Sequence, residues 1–518
     1  MTLALLALVQ LGFSDDPAGT PNPASATEML PMSGEVTATS ALVQARHPPG
    51  ARSNGGRFLL SPADGTAEDE RSAGCTAKEQ YDWIVRRQFD RLKPDTPYEF
   101  RYVTHCGVSS PVGRFRTLPG EESETPVSFV VVTGLNYAKF HGSSAIDRKQ
   151  HLEQNNTELP PPAPESQRKL GYPGLEAIQN DKPHFVVYTG DTVYYDTPKE
   201  GRATDRPSMR AKWRENFVQP RFRDLLAATP AYHMKDDHDF RKDDSDNSGD
   251  YEPSPELGIE LFKEQVPVVP PGKDSPFDET TPTYRTVRCN ADLQVWIVEG
   301  RDYRSANKSP DGLGKTIWGE EQFRWLTRTL KESDATFKVL VSPTPMVGPD
   351  DKRKTDNHTN FGGFRHERQR FFDFLKEEGM LQSGEFLVLC GDRHWQYHAE
   401  HPVGLHEFSS GAIHDANSRP GRVAGDPKST DPDAKIVQYY LMGIESKRAE
   451  DGRIEQYGSA ASGGYLSVEV ARGNWRGEGE EARLHLVHKV TRKLKDSDPN
   501  EPLTTVAYET DWYRTDAP

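Results

Sequence analysis

The chain has 518 residues, which is too long for one ordinary hydrophobic core and predicts at least two domains. Its hydrophobic fraction of 34% indicates a polar-surfaced protein with enough apolar residues for real cores. The formal net charge of −15 argues against a general nucleic-acid binder, so any site for an anionic substrate must rely on local cations.

The chain begins with an apolar run over residues 1–13 that is too short to span a bilayer. It has the character of a signal-peptide core but lacks the Lys or Arg expected before it, which a shortened start or an apolar tail without a role would explain. We favour export to the periplasm or the exterior. Residues 14–31 are rich in Pro, Ala, Ser and Asp, so residues 1–32 are assigned to a signal remnant and linker. No other segment is a candidate membrane span.

Short strand-like segments alternate with turns over residues 33–120, for example at 34–39, 56–60 and 98–103. Residues 92–100 are typical of the corner before a late strand in a fibronectin-like fold. We therefore expect a small fibronectin- or immunoglobulin-like β-sandwich here.

From residue 126 onward, strands alternate with helices, which predicts an α/β domain of stacked sheets flanked by helices over 126–518. Polar stretches at 142–170 and 413–460 are expected to be long loops. The predicted helices are 210–228, 320–331 and 367–378, and the predicted strands include 126–134, 184–188, 293–298, 337–341, 386–390 and a closing pair at 464–470 and 482–488.

A buried strand followed by polar side chains is the most informative feature of this domain. The apolar run 184–188 predicts a strand covered on both faces, and Gly190 allows the chain to turn where it stops. Asp191 then offers a carboxylate that can bridge two cations, and Tyr194 offers a hard phenolate oxygen suited to a ferric ion. Taken alone, Asp191 could cap a helix, but its combination with Tyr194 favours metal binding.

Two later segments repeat this plan. Asp237 and His238 are adjacent and diverge, so Asp237 can ligate a cation while His238 faces substrate as a general acid or as a clamp on phosphate. Asp392 and His394 are separated by one residue, so in an extended chain both can point toward one centre. Three strand ends carrying Asp and His predict a dinuclear metal centre for phosphoester hydrolysis.

Four segments in this order, 190–195, 236–239, 300–304 and 391–394, resemble the motifs of the PhoD-like alkaline phosphatase/phosphodiesterase family. The resemblance extends from about Ser33 to the last strands. It implies a small N-terminal β-sandwich followed by a metallophosphoesterase domain with metal chemistry similar to that of purple acid phosphatases. It also implies a dinuclear centre of iron with calcium rather than zinc.

Taken residue by residue, the resemblance implies a role for each motif. His238 is expected to face the substrate and assist departure of the alkoxide, and Arg301 is expected to hold phosphate oxygens. The expected metal ligands are Asp191 as the bridge, Tyr194 on iron, Asp237 on calcium, and Asp392 with His394.

The chain departs from the family pattern at the end of its opening strand. The family has a cysteine or an aspartate there, whereas this strand ends at residues 133–137 without either. Asn136 is expected to act as a weak neutral ligand or as a hydrogen-bond donor to phosphate. Near Arg301, Glu299 and Gly300 replace the usual Asp and Thr, which bears on metal identity and turnover rate rather than on the fold.

Two further features lie outside these motifs. His358 follows a predicted strand end and is the best of the remaining histidines as a substrate or metal contact, with a structural role equally open. The acidic run 243–247 is expected to be a solvated loop, with calcium binding as the less favoured alternative because no EF-hand spacing follows it.

The expected function is hydrolysis of small phosphate esters by metal-activated water, as in alkaline phosphatase D. Phosphodiesterase or phospholipase D-like activity at the same site remains open, because substrate choice is expected to depend on the loops 142–170 and 413–460. A rival from another class is a secreted, non-catalytic binding protein on a decayed hydrolase scaffold. The departure at Asn136 motivates that rival, and the retained Asp, Tyr and His residues count against it.

Overall fold

The computed structural model describes residues 28–155, 157–442, 447–448, 454–456, 462–477, 479–492 and 502–514. The apolar run and most of the linker assigned to residues 1–32 lie outside this part. The strands of the described part are β1 Met32–Gly34, β2 Ser40–Arg46, β3 Gly55–Pro62, β4 Arg71–Thr76, β5 Ile84–Asp90, β6 Pro97–Thr104, β7 Gly113–Arg116, β8 Val127–Val132, β9 Phe185–Thr189, β10 Ala231–Met234, β11 Arg285–Arg288, β12 Leu293–Ile297, β13 Phe337–Ser342, β14 Phe386–Cys390, β15 Gln396–Glu400, β16 His406–Ser410, β17 Val437–Leu441, β18 Lys447–Arg448, β19 Ile454–Gln456, β20 Gly464–Gly473, β21 Glu481–Thr491 and β22 Thr504–Trp512.

The α-helices of the described part are fewer and mostly short. No helix in this part is both long and apolar enough to cross a membrane. The helices are α1 Tyr137–Phe140, α2 Arg148–Asn155, α3 Glu165–Leu170, α4 Pro173–Asp181, α5 Arg206–Phe217, α6 Pro220–Ala228, α7 Pro255–Gln265, α8 Gly319–Glu332 and α9 Arg365–Glu377.

The N-terminal strands form a small sandwich. Strands β1, β2 and β5 pack against a four-stranded sheet of order β4-β3-β6-β7, around a core that includes Phe58, Phe100 and Tyr102. The predicted strand 34–39 is wrong in its bounds: β1 ends at Gly34, and Glu35 takes a φ of 50°, so the chain turns before β2 begins.

Strand β1 also joins this sandwich to the larger domain. It pairs with β2 in antiparallel fashion and with β10 in parallel, with Gly34 opposite Ala231. A Cβ on Gly34 would lie 2.6 Å from the carbonyl oxygen of Pro267, so only glycine allows this approach. The buried guanidinium of Arg86, from β5, donates to the carbonyl oxygen of Val269 and ties the same two parts together.

Two large sheets stack face to face in the main domain. One has nine strands in the order β22-β21-β20-β8-β9-β10-β1-β2-β5, and the other has seven in the order β11-β12-β13-β14-β16-β15-β17. Their facing sides share a buried core that includes Phe129, Val339 and Leu389. Helices α4–α7 cover the first sheet from outside, with Trp213 of α5 buried in the core between them. Helices α8 and α9 cover the second sheet, with Phe371 of α9 buried in the same way. The predicted fold class, stacked sheets flanked by helices and preceded by a small β-sandwich, is confirmed.

Parallel pairing brings the motif-bearing strand ends together. Strands β8, β9 and β10 run parallel in one sheet, and β12, β13 and β14 run parallel in the other. Since the carboxyl ends of parallel strands meet at one edge, the segments that follow them are held near one another.

Two sequence expectations about helices need correction. The predicted helix 210–228 is broken, because Pro220 cannot donate a backbone hydrogen bond and instead begins α6 after α5 has ended at Phe217. The predicted loop 142–170 contains α2 and α3.

Candidate active site

Special backbone conformations place the two main carboxylates. Asp191 and Asp392 follow β9 and β14, with φ values of 55° and 54°, in the left-handed region where such residues are uncommon. Between β9 and Asp191, Gly190 has a φ of 95°, and a Cβ there would lie 2.5 Å from the backbone nitrogen of Asp236. Glycine at this point therefore lets the ends of β9 and β10 approach each other.

Three candidate ligand atoms converge at the end of β9. The Tyr194 hydroxyl donates to Asp191 Oδ2 at 2.8 Å, His394 Nε2 lies 3.0 Å from the same oxygen, and the hydroxyl and Nε2 are 3.3 Å apart. Asn417 Nδ2 fixes the tyrosine by donating to its oxygen at 2.8 Å. The other Asp191 oxygen, Oδ1, is buried and has no hydrogen-bond partner among the described residues.

Asp237 extends this group toward β10. One ligand atom each from Asp191, Asp237 and His238 lies within 4.8 Å of the others. A second group joins Asp237 to Asp244 and Asp356, also within 4.8 Å. Asp237 itself is oriented by backbone donation from His238 at 2.9 Å and from Asp244 at 2.6 Å.

The pKa values of two histidines at the site are shifted in opposite directions because their surroundings differ. Burial alone would lower the pKa of His238, but nearby carboxylates, that of Asp196 foremost, raise it well above its ordinary value. Asp196 Oδ1 is 2.8 Å from His238 Nδ1, and the ring packs 4.2 Å from that of Tyr194. Burial lowers the pKa of His394 well below its ordinary value, and the cation of Arg419 lowers it further. His238 is thus suited to carry a proton, and His394 to offer a lone pair.

These residues line a cavity of about 430 Å³ that also presents cations. Lys139, Lys354 and Arg419 all line it. Lys139 Nζ donates to Asn417 Oδ1 at 2.9 Å, and burial lowers the pKa of this lysine to about 8. Burial would also lower the pKa of Lys354, but the carboxylate of Asp244 raises it well above its ordinary value. A cavity with carboxylates, imidazoles and ammonium groups can bind cations and phosphate oxygens side by side.

Asn136 lies where the family pattern has a cysteine or an aspartate. Its Oδ1 caps α1 by accepting from the backbone nitrogen of Lys139 at 3.1 Å. Its Nδ2 is buried without a hydrogen-bond partner among the described residues, and the side chain lines the cavity. This arrangement suits the expected hydrogen-bond donor to phosphate better than the expected neutral ligand, because the amide oxygen is already engaged.

Asp392 lines the same cavity, as expected of a ligand. Its carboxylate is paired with the guanidinium of Arg393, its neighbour in the chain, which also pairs with Asp350. The structure therefore brings together Asn136, Asp191, Tyr194, Asp237, His238, Asp392 and His394 around one cavity.

Arg301 and His358 do not lie there, and the roles expected for them need correction. Arg301 is fully buried, donates from Nε to Asp236 Oδ1 at 2.8 Å and bonds the carbonyl oxygen of Ser245 at 2.6 Å. Because Arg301 is fully buried and does not line the cavity, it is not placed to hold substrate oxygens. His358 is also fully buried, with Nε2 2.9 Å from Glu367 Oε2 and its ring 4.7 Å from that of Trp318.

Several residues near the site were not predicted. Asp196 orients His238, and Asp239 accepts from the backbone nitrogens of Asp236 and Thr192, which joins the segments after β9 and β10. The run 243–247, expected to be a solvated loop, instead contributes Asp244 to the second carboxylate group. Lys354 lies in the segment after β13, and its place after a strand end is the one feature of the sequence that could have indicated a role at the site. Asn417 and Arg419 come from the stretch 413–460, expected only to influence substrate choice.

The donor set fits a bound metal centre. Asp191 is 1% exposed, and burial raises the pKa of its carboxyl well above the ordinary value, so its charged form needs a compensating cation. The separations of 2.8, 3.0 and 3.3 Å among the three converging atoms match the roughly 3 Å between adjacent ligands of an ion bonded at about 2.1 Å. Carboxylate, phenol and imidazole together suit iron, and carboxylates alone suit calcium.

Two solved structures with a similar fold define the class of fold. The chain is similar to a structure of PhoD, with a TM-score of 0.68 and 16% identity over 96% of this chain and 92% of that chain. It is also similar to the purple acid phosphatase PPD1 from yellow lupin (Lupinus luteus) seeds, with a TM-score of 0.56 and 10% identity over 93% of this chain and 73% of that one. These similarities show a metallophosphoesterase-type fold. A comparison with curated proteins found no match.

The family follows from the sequence itself. The PhoD-like phosphatase family matches residues 165–477, which is more than half of the chain. The protein therefore belongs to the PhoD-like phosphatase family, and the resemblance inferred from four motifs is confirmed. The matched segment includes Asp191, Tyr194, Asp237 and His394, and it begins after Asn136.

Proposed function

We propose that this protein hydrolyses phosphate esters at the cavity that Asp191 lines. The observation that carries the proposal is the convergence of the Asp191 carboxylate, the Tyr194 hydroxyl and the His394 imidazole beside Asp237 and His238. Such a set combines cation ligands with a proton donor in one place, and phosphoester hydrolysis requires both.

The metal centre is proposed to be dinuclear, with iron and calcium. Asp191, Tyr194 and His394 would hold iron, and Asp191, Asp237 and Asp392 would hold calcium, in agreement with the hardness of these donors. Bound cations would neutralise phosphoryl oxygens and activate the attacking water. The lowered pKa of His394 supports this role, since it favours the unprotonated imidazole that a metal requires.

His238 acts as the general acid for the departing alkoxide. Asp196 holds Nδ1, which leaves Nε2, 4.0 Å from Asp243 Oδ1, as the nitrogen that delivers the proton. Burial alone would lower the pKa of His238, but nearby carboxylates, that of Asp196 foremost, raise it, which favours the protonated form that a general acid needs.

Phosphate oxygens are held by groups that line the cavity rather than by Arg301. Lys354 and Arg419 supply positive charge, and the unpartnered Nδ2 of Asn136 supplies a neutral donor. A net charge of −15 makes these local cations necessary for any anionic substrate.

The substrate is a small phosphoester, and both monoesters and diesters fit the proposal. The cavity volume of about 430 Å³ leaves room for more than one phosphate group, so phosphodiesterase activity is retained as the alternative. Export is proposed as well, on the apolar run of residues 1–13, which precedes the described residues.

The test is hydrolysis of a nitrophenyl phosphate monoester and of the corresponding diester, with iron and calcium supplied at alkaline pH. We expect turnover of at least one ester, its loss on chelation, and its loss together with bound metal in Asp191→Asn. The matched control is Asp64→Asn, at an exposed position of the N-terminal sandwich. Less than one bound metal per chain after reconstitution, with no turnover, would instead support a binding protein on a decayed hydrolase scaffold.

A further inference from the structure

Two further cations line the cavity beside a tyrosine ring. Arg202 and Lys242 both approach the ring of Tyr251, with Arg202 Cζ 4.6 Å and Lys242 Nζ 4.1 Å from its centroid. All three residues line the same cavity as Asp191. We call these three residues the Tyr251 cluster.

The loop that carries Tyr251 is held in place by a buried arginine. Arg241 is 1% exposed, and its guanidinium donates to the carbonyl oxygens of Asp246 at 2.8 Å, Ser248 at 3.0 Å and Pro253 at 2.7 Å, and also to that of Tyr251. Hydrogen bonds from one planar group to several carbonyls fix the path of the loop. The ring of Tyr251 therefore occupies a set position on the wall of the cavity.

The two cations of the cluster lack acidic partners. Within the described ranges, no carboxylate lies within 4 Å of the charged nitrogens of Arg202 or Lys242. Two acids that line the cavity contact other cations, since Asp196 pairs with His238 at 2.8 Å and Asp243 lies 3.8 Å from Lys354 Nζ. Two like charges that share one ring repel each other, and an anion between them would relieve this repulsion.

The cavity is also larger than one phosphate requires. Its volume of about 430 Å³ lies within the range of about 300–1,000 Å³ usual for sites that hold a whole small molecule. In the proposed function, the residues around Asp191 hold the reacting phosphate. The Tyr251 cluster adds further positive charge to the lining of the same cavity.

We propose that the Tyr251 cluster is a second anion subsite and that the substrate is a phosphoester carrying a further phosphate group. This inference rests on the proposed function, because it takes the site around Asp191 as the place of the reacting phosphate. The guanidinium of Arg202 and the ammonium of Lys242 bind the second phosphate by charge-assisted hydrogen bonds, and Tyr251 keeps both cations positioned.

The test compares two non-hydrolysable probes that differ only in a second anionic group, hexylphosphonate and hexane-1,6-diphosphonate. Their dissociation constants are measured by calorimetry on the metal-loaded protein. We expect the diphosphonate to bind about tenfold more tightly or better, well above the factor of about two that its two equivalent ends supply. In Arg202→Gln/Lys242→Gln this advantage should fall to about twofold, while the affinity for hexylphosphonate stays the same.

The control Arg57→Gln/Lys93→Gln removes the same charge from exposed positions of the N-terminal sandwich and should keep the full advantage. Equal affinities of the parent protein for both probes, binding of neither probe, or an advantage that persists in the double variant would overturn the proposal. Turnover of nitrophenyl phosphate is measured separately. Turnover without a diphosphonate advantage refutes the subsite alone, whereas an advantage without turnover supports the subsite and counts against the proposed function.

Discussion

Replacing Arg301 with methionine should destabilise the fold rather than remove a substrate contact. Both Arg301 and its partner Asp236 are fully buried, and the bond from Arg301 Nε to Asp236 Oδ1 is 2.8 Å long. Removing one member leaves a buried carboxylate without its cation, which costs about 3–5 kcal/mol. The hydrogen bond of 2.6 Å to the carbonyl oxygen of Ser245 is lost as well.

The assay is urea unfolding followed by the fluorescence of the eight tryptophans. The double variant Asp236→Asn/Arg301→Met should be less destabilised than the sum of its single variants, because removing both charges leaves neither one unpaired. Arg57→Met, at an exposed position, should change the free energy of unfolding by less than about 0.5 kcal/mol. An Arg301→Met protein with unchanged stability and a greatly raised KM would refute this reasoning and restore the role expected from the sequence.

Three further perturbations probe other parts of the molecule. Lys354→Gln should raise the KM for nitrophenyl phosphate about tenfold in steady-state assays, because a charge-assisted contact to phosphate is lost. Gly34→Ala should lower the free energy of unfolding in urea by about 1–3 kcal/mol, because its Cβ would lie 2.6 Å from the Pro267 carbonyl oxygen. Burial lowers the pKa of His488 to about 4 from 6.5, so the unfolded chain takes up this proton first. The stability that this residue contributes is present above about pH 6.5 and is lost as the pH falls toward 4, and the loss is about 3 kcal/mol. In urea unfolding measured at a series of pH values, the free energy of unfolding of His488→Gln should not show this loss.

Each of these predictions has a control and an outcome that contradicts it. Lys352→Gln, at an exposed position, should leave the KM unchanged. Equal KM values for the Lys352 and Lys354 variants would show that Lys354 does not contact the substrate. Gly74→Ala has no close neighbour except a carbonyl oxygen at 4.0 Å, and it should be tolerated; equal losses at both glycines would refute the crowding argument. An identical pH dependence in His488→Gln and the parent would show that this histidine does not contribute to acid sensitivity.

The candidate ligands were predictable because their signals are local. Asp191 and Tyr194 follow a strand that its apolar, β-branched sequence already predicts, and Asp392 and His394 follow another. The stacked sheets follow from the alternation of strands and helices in the same way. Each of these signals lies within a few residues of the chain.

What the sequence could not supply are pairings between distant segments. Arg301 meets Asp236, 65 residues earlier in the chain, and this partner converts an expected substrate contact into a buried ion pair. Asn417 reaches Tyr194 across 223 residues, from a stretch whose composition predicts only a loop. Such contacts depend on how the two sheets stack, and no short motif encodes that.

The parallel pairing of β1 with β10 has a consequence for any attempt to isolate the larger domain. A chain that starts at residue 126 would lack β1, and the backbone N–H and C=O groups of β10 that now face it would become an open sheet edge. Unpaired edges recruit strands from other molecules, so the shortened protein should self-associate. The carbonyl oxygen of Val269 would also lose its bond from Arg86. By covering the edge of β10, the small sandwich should therefore protect the larger domain from aggregation.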